Sequence, residues 1–280
     1  MPTIPVRDTT LYYERAGSGP ELLFIHGMCG DAASWEGQVP RLADRFTCVT
    51  YDRRGHTRSA VGTEPESVGT HAADAAALIE ALHLTRPVIV GSSGGARIGV
   101  ELARTRPDLI AGAVLSEPPL PTLEPVAGRA LMAELGAVIA PAVRAGGPRA
   151  AVDAFFPLVC PGLWSRLDEA RRDRLRANGH MMLAEFSSPP YALDREDLRR
   201  IDVPTLVVSG TTSHPAMRAI AATLARNLPS ARLLELDRCG HVTYFERPDE
   251  FASAVCEFAA ETTHRPLIAG NGSATTARPG

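Results

Sequence analysis

Short apolar runs, each closed by glycine, proline or polar residues, alternate with longer helical patterns along most of this chain. The runs fall near residues 9–15, 21–26, 46–51, 87–91, 111–116, 203–209 and 231–236 and read as strands. Between them the period changes. A helix is predicted from about Glu66 to Leu84, where Ala75, Leu78, Ile79 and Leu82 fall at i, i+3, i+4 and i+7 on one inner face. A second is predicted from Ser93 to Arg106, and a last one near Pro248 to Glu261 carries Phe251, Val255 and Phe258 at helical spacing. Strands alternating with helices imply right-handed crossovers and a mostly parallel sheet, the α/β class.

The alternation stops between Pro118 and about Asp197. This stretch is rich in alanine, leucine and arginine and predicts helices near 123–144, 147–157, 163–176 and 177–187. Its large apolar residues include Leu131, Met132, Phe155, Phe156, Leu158, Trp164, Met181, Met182, Leu183 and Phe186. Core packing is the default role for each, with a fraction left to line a pocket. The methionines suit a pocket that adapts to a flexible substrate. Beyond about Thr263 the chain turns to Gly, Ala, Ser, Thr and Pro, with too little apolar surface to fold alone, so 263–280 is expected to be a disordered tail.

The candidate chemistry sits where strands end. Gly91-Ser92-Ser93-Gly94-Gly95 fits G-x-S-x-G and lies between an apolar run and a helix-compatible segment. A tight turn there would strain its central residue and present the Ser93 hydroxyl at the top of a sheet, with small neighbours required by close contacts. His26-Gly27-Met28-Cys29-Gly30 follows the run Glu21 to Ile25 and looks like a loop that aims backbone N–H groups at one spot. His26 reads as a structural histidine holding that loop. Asp52 and Arg53, in the turn after 46–51, read as residues that tie loops together. Cys239-Gly240-His241 closes the run 231–236, and a neutral imidazole there could serve as base for a serine hydroxyl.

Together these motifs resemble the α/β-hydrolase fold family over nearly the whole chain, with Ser93 before His241 in the family's order. The resemblance implies about eight mostly parallel strands flanked by helices, and a Ser-His-acid triad at the strand C-terminal ends. It also implies that Met28 and Gly94 supply the oxyanion-hole N–H groups. The core would comprise 1–117 and 198–262, and 118–197 would form a helical cap over the active site. One catalytic position departs from the family. The usual acid site, in a Gly-x-x-Asp turn after the penultimate strand, reads Gly210-Thr211-Thr212-Ser213, and a serine carries no charge to stabilise an imidazolium. Glu117 in Ser116-Glu117-Pro118-Pro119 is the leading replacement. A Ser93–His241 dyad without an acid and Asp237 are the alternatives. The activity expected is hydrolysis of a small ester, thioester or lactone through an acyl-serine intermediate. A lyase, a C–C bond hydrolase, a cofactor-free perhydrolase or a non-catalytic ligand-binding relative are the rivals on the same fold.

Composition narrows the partners. The formal charge of −3 argues against nucleic acid, which needs a concentrated basic surface. The densest basic run, Arg171 to Arg176, is interrupted by Asp173 and Leu175 and reads as a solvated helix face. No run of eighteen apolar residues predicts a membrane span, and the first residues lack a signal-peptide pattern, so a cytoplasmic protein with no membrane partner is expected. The five cysteines show no C-x-x-C, and no histidine spacing or glycine-rich phosphate loop points to a metal or nucleotide cofactor. The expected partner is a partly apolar small molecule. The choice between monomer and homo-oligomer stays open.

Overall fold

A computed structural model describes residues 1–161 and 163–263. Among these are eight strands: β1 (Thr3–Val6), β2 (Thr9–Ala16), β3 (Glu21–Ile25), β4 (Thr47–Tyr51), β5 (Val88–Ser92), β6 (Gly112–Ser116), β7 (Thr205–Gly210) and β8 (Ala231–Leu236). The described α-helices are α1 (Val39–Leu42), α2 (Val68–Ala81), α3 (Gly94–Thr105), α4 (Pro125–Val159), α5 (Glu169–Ala177), α6 (Gly179–Ser187), α7 (Arg195–Arg199), α8 (Pro215–Asn227), α9 (Thr243–Glu246) and α10 (Pro248–Thr263). The strands form one sheet in the order β1-β2-β4-β3-β5-β6-β7-β8. β1 and β2 run antiparallel to their neighbours, and every pairing from β4 to β8 is parallel.

The central strands are apolar on both faces because both faces are covered. Leu23, Ile25, Ile89, Ala113, Leu115 and Val207 belong to one core cluster, shared with α2, α3, α8 and the helical insertion. Their sequence neighbours Leu22, Phe24, Val88, Val90, Val114 and Val208 belong to a second, with Trp35 and with Phe251, Val255 and Phe258 of α10. The period of two in a strand thus sorts alternate residues into two cores.

The pattern along the chain missed β1. Thr3-Ile4-Pro5-Val6 is short and contains proline, which a sheet tolerates at its edge, and β1 is the edge strand. It also missed α8, the crossover between β7 and β8. The predicted helices at 123–144 and 147–157 form one assignment, α4, broken at Gly146 and Gly147. Gly147 has φ 67° and ψ −155°, a conformation that a side chain resists. An 18-residue window of α4 reaches a mean hydropathy of 1.5, enough by composition to cross a membrane. The glycine break divides the helix, and it packs on α5, α6 and α8. Of the helix expected at 163–176, Trp164–Arg166 forms a single 3-10 turn and α5 begins at Glu169. The tail expected at 263–280 lies outside the described residues except for Thr263, which ends α10.

Between β5 and α3 the chain reverses within one residue. Ser93 has φ 52° and ψ −119°, and the helix begins at Gly94. The turn leaves no room for side chains on either flank. A Cβ on Gly91 would lie 2.6 Å from the Gly95 carbonyl oxygen, and one on Gly95 would lie 2.1 Å from that of Ile25. Both contacts are with backbone, which cannot swing aside. We expect Gly95→Ala to lower stability by about 3 kcal/mol, the upper end of overpacking costs, read as an earlier midpoint in thermal or denaturant unfolding.

Candidate active site

The parallel register places the ends of β5, β6 and β7 side by side, with Ser92 opposite Ser116 and Ser116 opposite Val208. Ser93, Glu117 and Ser209 are therefore neighbours across one sheet edge. The Ser93 N–H donates to the Ser116 carbonyl at 2.8 Å, and the Glu117 N–H donates to that of Val208 at 3.0 Å. Glu117 itself sits at φ 46°, left-handed for a non-glycine residue. That backbone twist leaves its side chain fully buried between the strand ends.

His241 Nδ1 lies 2.6 Å from Glu117 Oε2. The same oxygen accepts from the Ser213 hydroxyl at 2.5 Å. The other, Oε1, accepts from the Ser209 hydroxyl and the Gly210 N–H, both at 2.9 Å. Four donors thus surround one buried carboxylate, as a buried charge requires. Ser213 stands where the family resemblance expects an aspartate and instead donates to the carboxylate supplied from β6. Asp237 is exposed and pairs with Arg238 at 3.2 Å. His241 is buried and follows Gly240, whose N–H donates to Glu246 Oε2 at 2.9 Å.

The 26–30 loop approaches the elbow closely. A Cβ on Gly27 would lie 3.3 Å from Ser93 Cβ, and one on Gly94 would lie 3.5 Å from the Met28 nitrogen. The Met28 N–H therefore stands beside the N-terminus of α3, where unpaired N–H groups and the helix dipole favour negative charge. Cys29, at φ 61°, makes the bend that follows. His26 fastens the loop from beneath. Its Nε2 accepts from the Arg53 N–H at 3.0 Å, and its Nδ1 faces the Gly27 carbonyl at 2.8 Å. Burial, with Arg53 nearby, holds its pKa well below the usual imidazole range, so the ring is neutral with its proton on Nδ1. Asp52 ties the neighbouring loops, accepting from the Ala32 N–H at 2.7 Å and from the Arg58 guanidinium.

Two cavities meet at this point. The larger, about 540 Å³, runs under α5 and the end of α4 and is lined by Phe155, Phe156, Val159, Leu163 and Tyr244. The smaller, about 290 Å³, runs toward α3, α6 and the Pro189-Pro190 turn. Ser93, His241, Met28, Phe155 and Val159 line both. Of the apolar residues expected in the insertion, Leu131, Met132, Leu158 and Phe186 line the smaller cavity, while Trp164 stacks on Phe156. Met132 lines the smaller cavity, while Met181 and Met182 take the core-packing role that was their default. Both are buried, and Met181 packs over Gly55. Within the basic run, Arg171 pairs with Glu36 and Arg176 with Asp153, Glu169 and Asp173. Arg171 and Arg174 also border the larger cavity.

Several site residues were not read from the chain. Asn178, between α5 and α6, donates to the Cys29 and Gly30 carbonyls at 3.1 and 3.0 Å, so the insertion pins the 26–30 loop. Glu185 of α6 is buried in the smaller cavity's wall, with Oε1 2.6 Å from Arg53 Nη2 and Oε2 3.3 Å from Arg97 Nη2. Arg53, expected to tie loops, therefore also reaches a carboxylate of the insertion. Glu66 contacts His71 Nε2 there, and burial pushes Glu66 up to about 7 and His71 down to about 3. Glu66, His71 and Glu185 bring possible ligand atoms within 4.8 Å of one another, the one such group among the described residues. A cation there would have to displace two guanidinium groups from Glu185, so the charge arrangement opposes a metal. Arg97, one turn after Ser93, is the residue that helical spacing alone could have placed in the site.

Comparison with known proteins agrees with this architecture. The α/β hydrolase fold family model matches residues 20–248. RutD of Azorhizobium caulinodans, named for carbamate hydrolysis, is 28% identical over 277 residues, covering 93% of this chain and 99% of its own. A non-heme chloroperoxidase of Streptomyces lividans is 31% identical over 241 residues, covering 79% of this chain and 86% of its own. The enol-lactonase of Burkholderia xenovorans LB400 superposes with a TM-score of 0.75 at 25% identity, over 92% of this chain and all of its own. The eight-stranded sheet, the strained turn at Ser93 and these relatives together make this chain an enzyme of the α/β-hydrolase fold family.

Proposed function

We propose that the protein is a serine hydrolase that cleaves a small, partly apolar carboxylic ester, thioester or lactone through an acyl-Ser93 intermediate. The observation that carries this reading is the His241–Glu117 pair, 2.6 Å apart, with His241 and Ser93 lining the same two cavities. An ester has two portions flanking one carbonyl. Two cavities that share Ser93 offer each portion its own space, with the carbonyl at their junction.

In this mechanism His241 takes the Ser93 proton as the hydroxyl oxygen attacks the carbonyl carbon. The charge that develops on the carbonyl oxygen goes to the N–H groups of Met28 and Gly94, each such donor being worth about 3 kcal/mol. Glu117 accepts a hydrogen bond from the His241 Nδ1–H, fixes the tautomer and stabilises the imidazolium. The tetrahedral adduct collapses, the C–O bond to the leaving group breaks, and His241 returns the proton to the leaving oxygen. Water then attacks the acyl-enzyme with the same base and releases the acid and Ser93. The insertion, residues 118–197, acts as a cap that keeps bulk water from these steps.

Relatives named for carbamate and lactone cleavage support hydrolysis at an acyl carbon. A second reading, perhydrolysis on the same acyl-enzyme, is favoured by the chloroperoxidase relative. It differs only in peroxide replacing water as the second nucleophile.

We expect Ser93→Ala to abolish ester turnover while the unfolding midpoint stays near that of the wild type. Intact-mass analysis after a fluorophosphonate should show one adduct on the wild type and none on Ser93→Ala. An adduct on the variant, or full turnover by it, would overturn the assignment. Glu117→Gln should lower kcat by about 10³-fold or more, because the amide can neither hold the imidazolium's charge nor specify the tautomer. A change of less than about threefold in steady-state assays would make Glu117 a structural residue only.

A further inference from the structure

The smaller cavity is polar at one end, and its charges do not balance. Two guanidinium groups, Arg53 and Arg97, face one firmly bound carboxylate, Glu185. Arg53 is fully buried and well used: it donates to Glu185 at 2.6 Å and also reaches Gly27 and His56. Arg97 is different. Among the described residues its guanidinium makes one hydrogen bond, the 3.3 Å contact to Glu185, and its buried Nε has no partner. A buried donor without an acceptor costs about 1–3 kcal/mol, a cost that a bound acceptor would remove.

The second carboxylate nearby does not correct the imbalance. Glu66 is turned to His71, and burial raises its pKa to about 7, so near neutrality a large share of it carries no charge. His71, held near 3 by burial, is neutral. Tyr191, also in the wall, gives its hydroxyl proton to Glu101 at 2.7 Å. The cavity therefore ends in two guanidinium groups set against one firmly bound carboxylate, with an open Nε donor on Arg97.

Position ties this charge to the chemistry. The Arg97 N–H donates to the Ser93 carbonyl at 3.0 Å, one helical turn along α3. Both side chains line the same cavity. One turn is about 5.4 Å of rise, so an anionic group a few bonds from the scissile carbonyl could reach Arg97 while the carbonyl lies at Ser93. Guanidinium recognises a carboxylate through paired N–H donors, and the open Nε suits that geometry.

We propose that Arg97 is a specificity-determining residue that binds a carboxylate carried by the acyl portion of the substrate, making the preferred substrate a short monoester of a dicarboxylic acid. This deepens the serine-hydrolase reading and rests on it for the turnover assay.

The test compares mono-p-nitrophenyl glutarate with the neutral p-nitrophenyl hexanoate, using wild type, Arg97→Gln and Arg97→Lys. The readout is the ratio of the two kcat/KM values. The wild type should favour the anionic ester by about tenfold to a hundredfold, the worth of one hydrogen-bonded charge pair. Arg97→Gln should collapse that ratio through KM, and Arg97→Lys should restore part of it. A structural role for Arg97 would slow both esters together and leave the ratio in place. An unchanged ratio in Arg97→Gln, or a wild-type preference for the neutral ester, would overturn the proposal. Free glutarate titrated calorimetrically into Ser93→Ala gives a separate readout. Heat of binding present in Ser93→Ala and absent from Ser93→Ala/Arg97→Gln would support the carboxylate site even if esters proved not to be substrates. Absence of binding in Ser93→Ala would sink it. Should Arg97→Gln fail to fold, the wild-type ester ratio and glutarate binding to Ser93→Ala still decide the matter.

Discussion

A carboxylate withdrawn wholly from water must be met by donors on every side, and the site of this protein is organised around one that is. Glu117 receives His241, two serine hydroxyls and a backbone N–H. Those donors come from the ends of β7 and β8 and the turns after them, while the carboxylate comes from the end of β6. The arrangement therefore exists only when three parallel strands hold their register, because a one-residue slip would turn Glu117 to the other face. The same register sets Ser116 beside the strand that carries Ser93. The positions of Glu117 and Ser93 are thus fixed by one set of ladder hydrogen bonds.

This constraint explains how a carboxylate from the end of β6, and not one from the turn after β7, meets the histidine. β6 lies between β5 and β7, so its exit is next to both. A side chain one carbon longer than aspartate, leaving the strand at φ 46°, covers the remaining distance. Ser213 then becomes a donor to the carboxylate, which suits its hydroxyl. The prolines after Glu117 fit the same reading, since Pro118 and Pro119 bring no backbone N–H that would need burial beside the charge.

Much of this was legible in the chain, for physical reasons. The strained turn at Ser93 announces itself because only glycine fits at positions 91 and 95, where backbone atoms crowd any Cβ. The central strands announce themselves because both faces are covered. β1 was hidden by its brevity and its proline. α8 was legible in retrospect, since Ala216, Met217, Ile220, Ala221 and Leu224 bury one face at helical spacing. Candidate residues near strand ends, Ser93, Glu117, His241, Met28 and Gly94, are brought together by local motifs plus parallel topology. The residues that were not legible depend on how the insertion docks. Asn178 lies between α5 and α6 and Glu185 lies on α6, in stretches of ordinary composition, and nothing in their local sequence shows that they meet the 26–30 loop and Arg53. Such long-range polar contacts follow from tertiary packing, which periodicity does not encode.

The hydrogen bond between Glu117 and His241 holds the site together, and proton NMR of protein with labelled histidine observes it without reference to any substrate. A far-downfield, slowly exchanging resonance from the His241 Nδ1 proton is expected in the wild type, lost or moved upfield in folded Glu117→Gln. The same resonance, unshifted in Glu117→Gln, would show that another group holds His241 and would contradict the placement of the acid on β6.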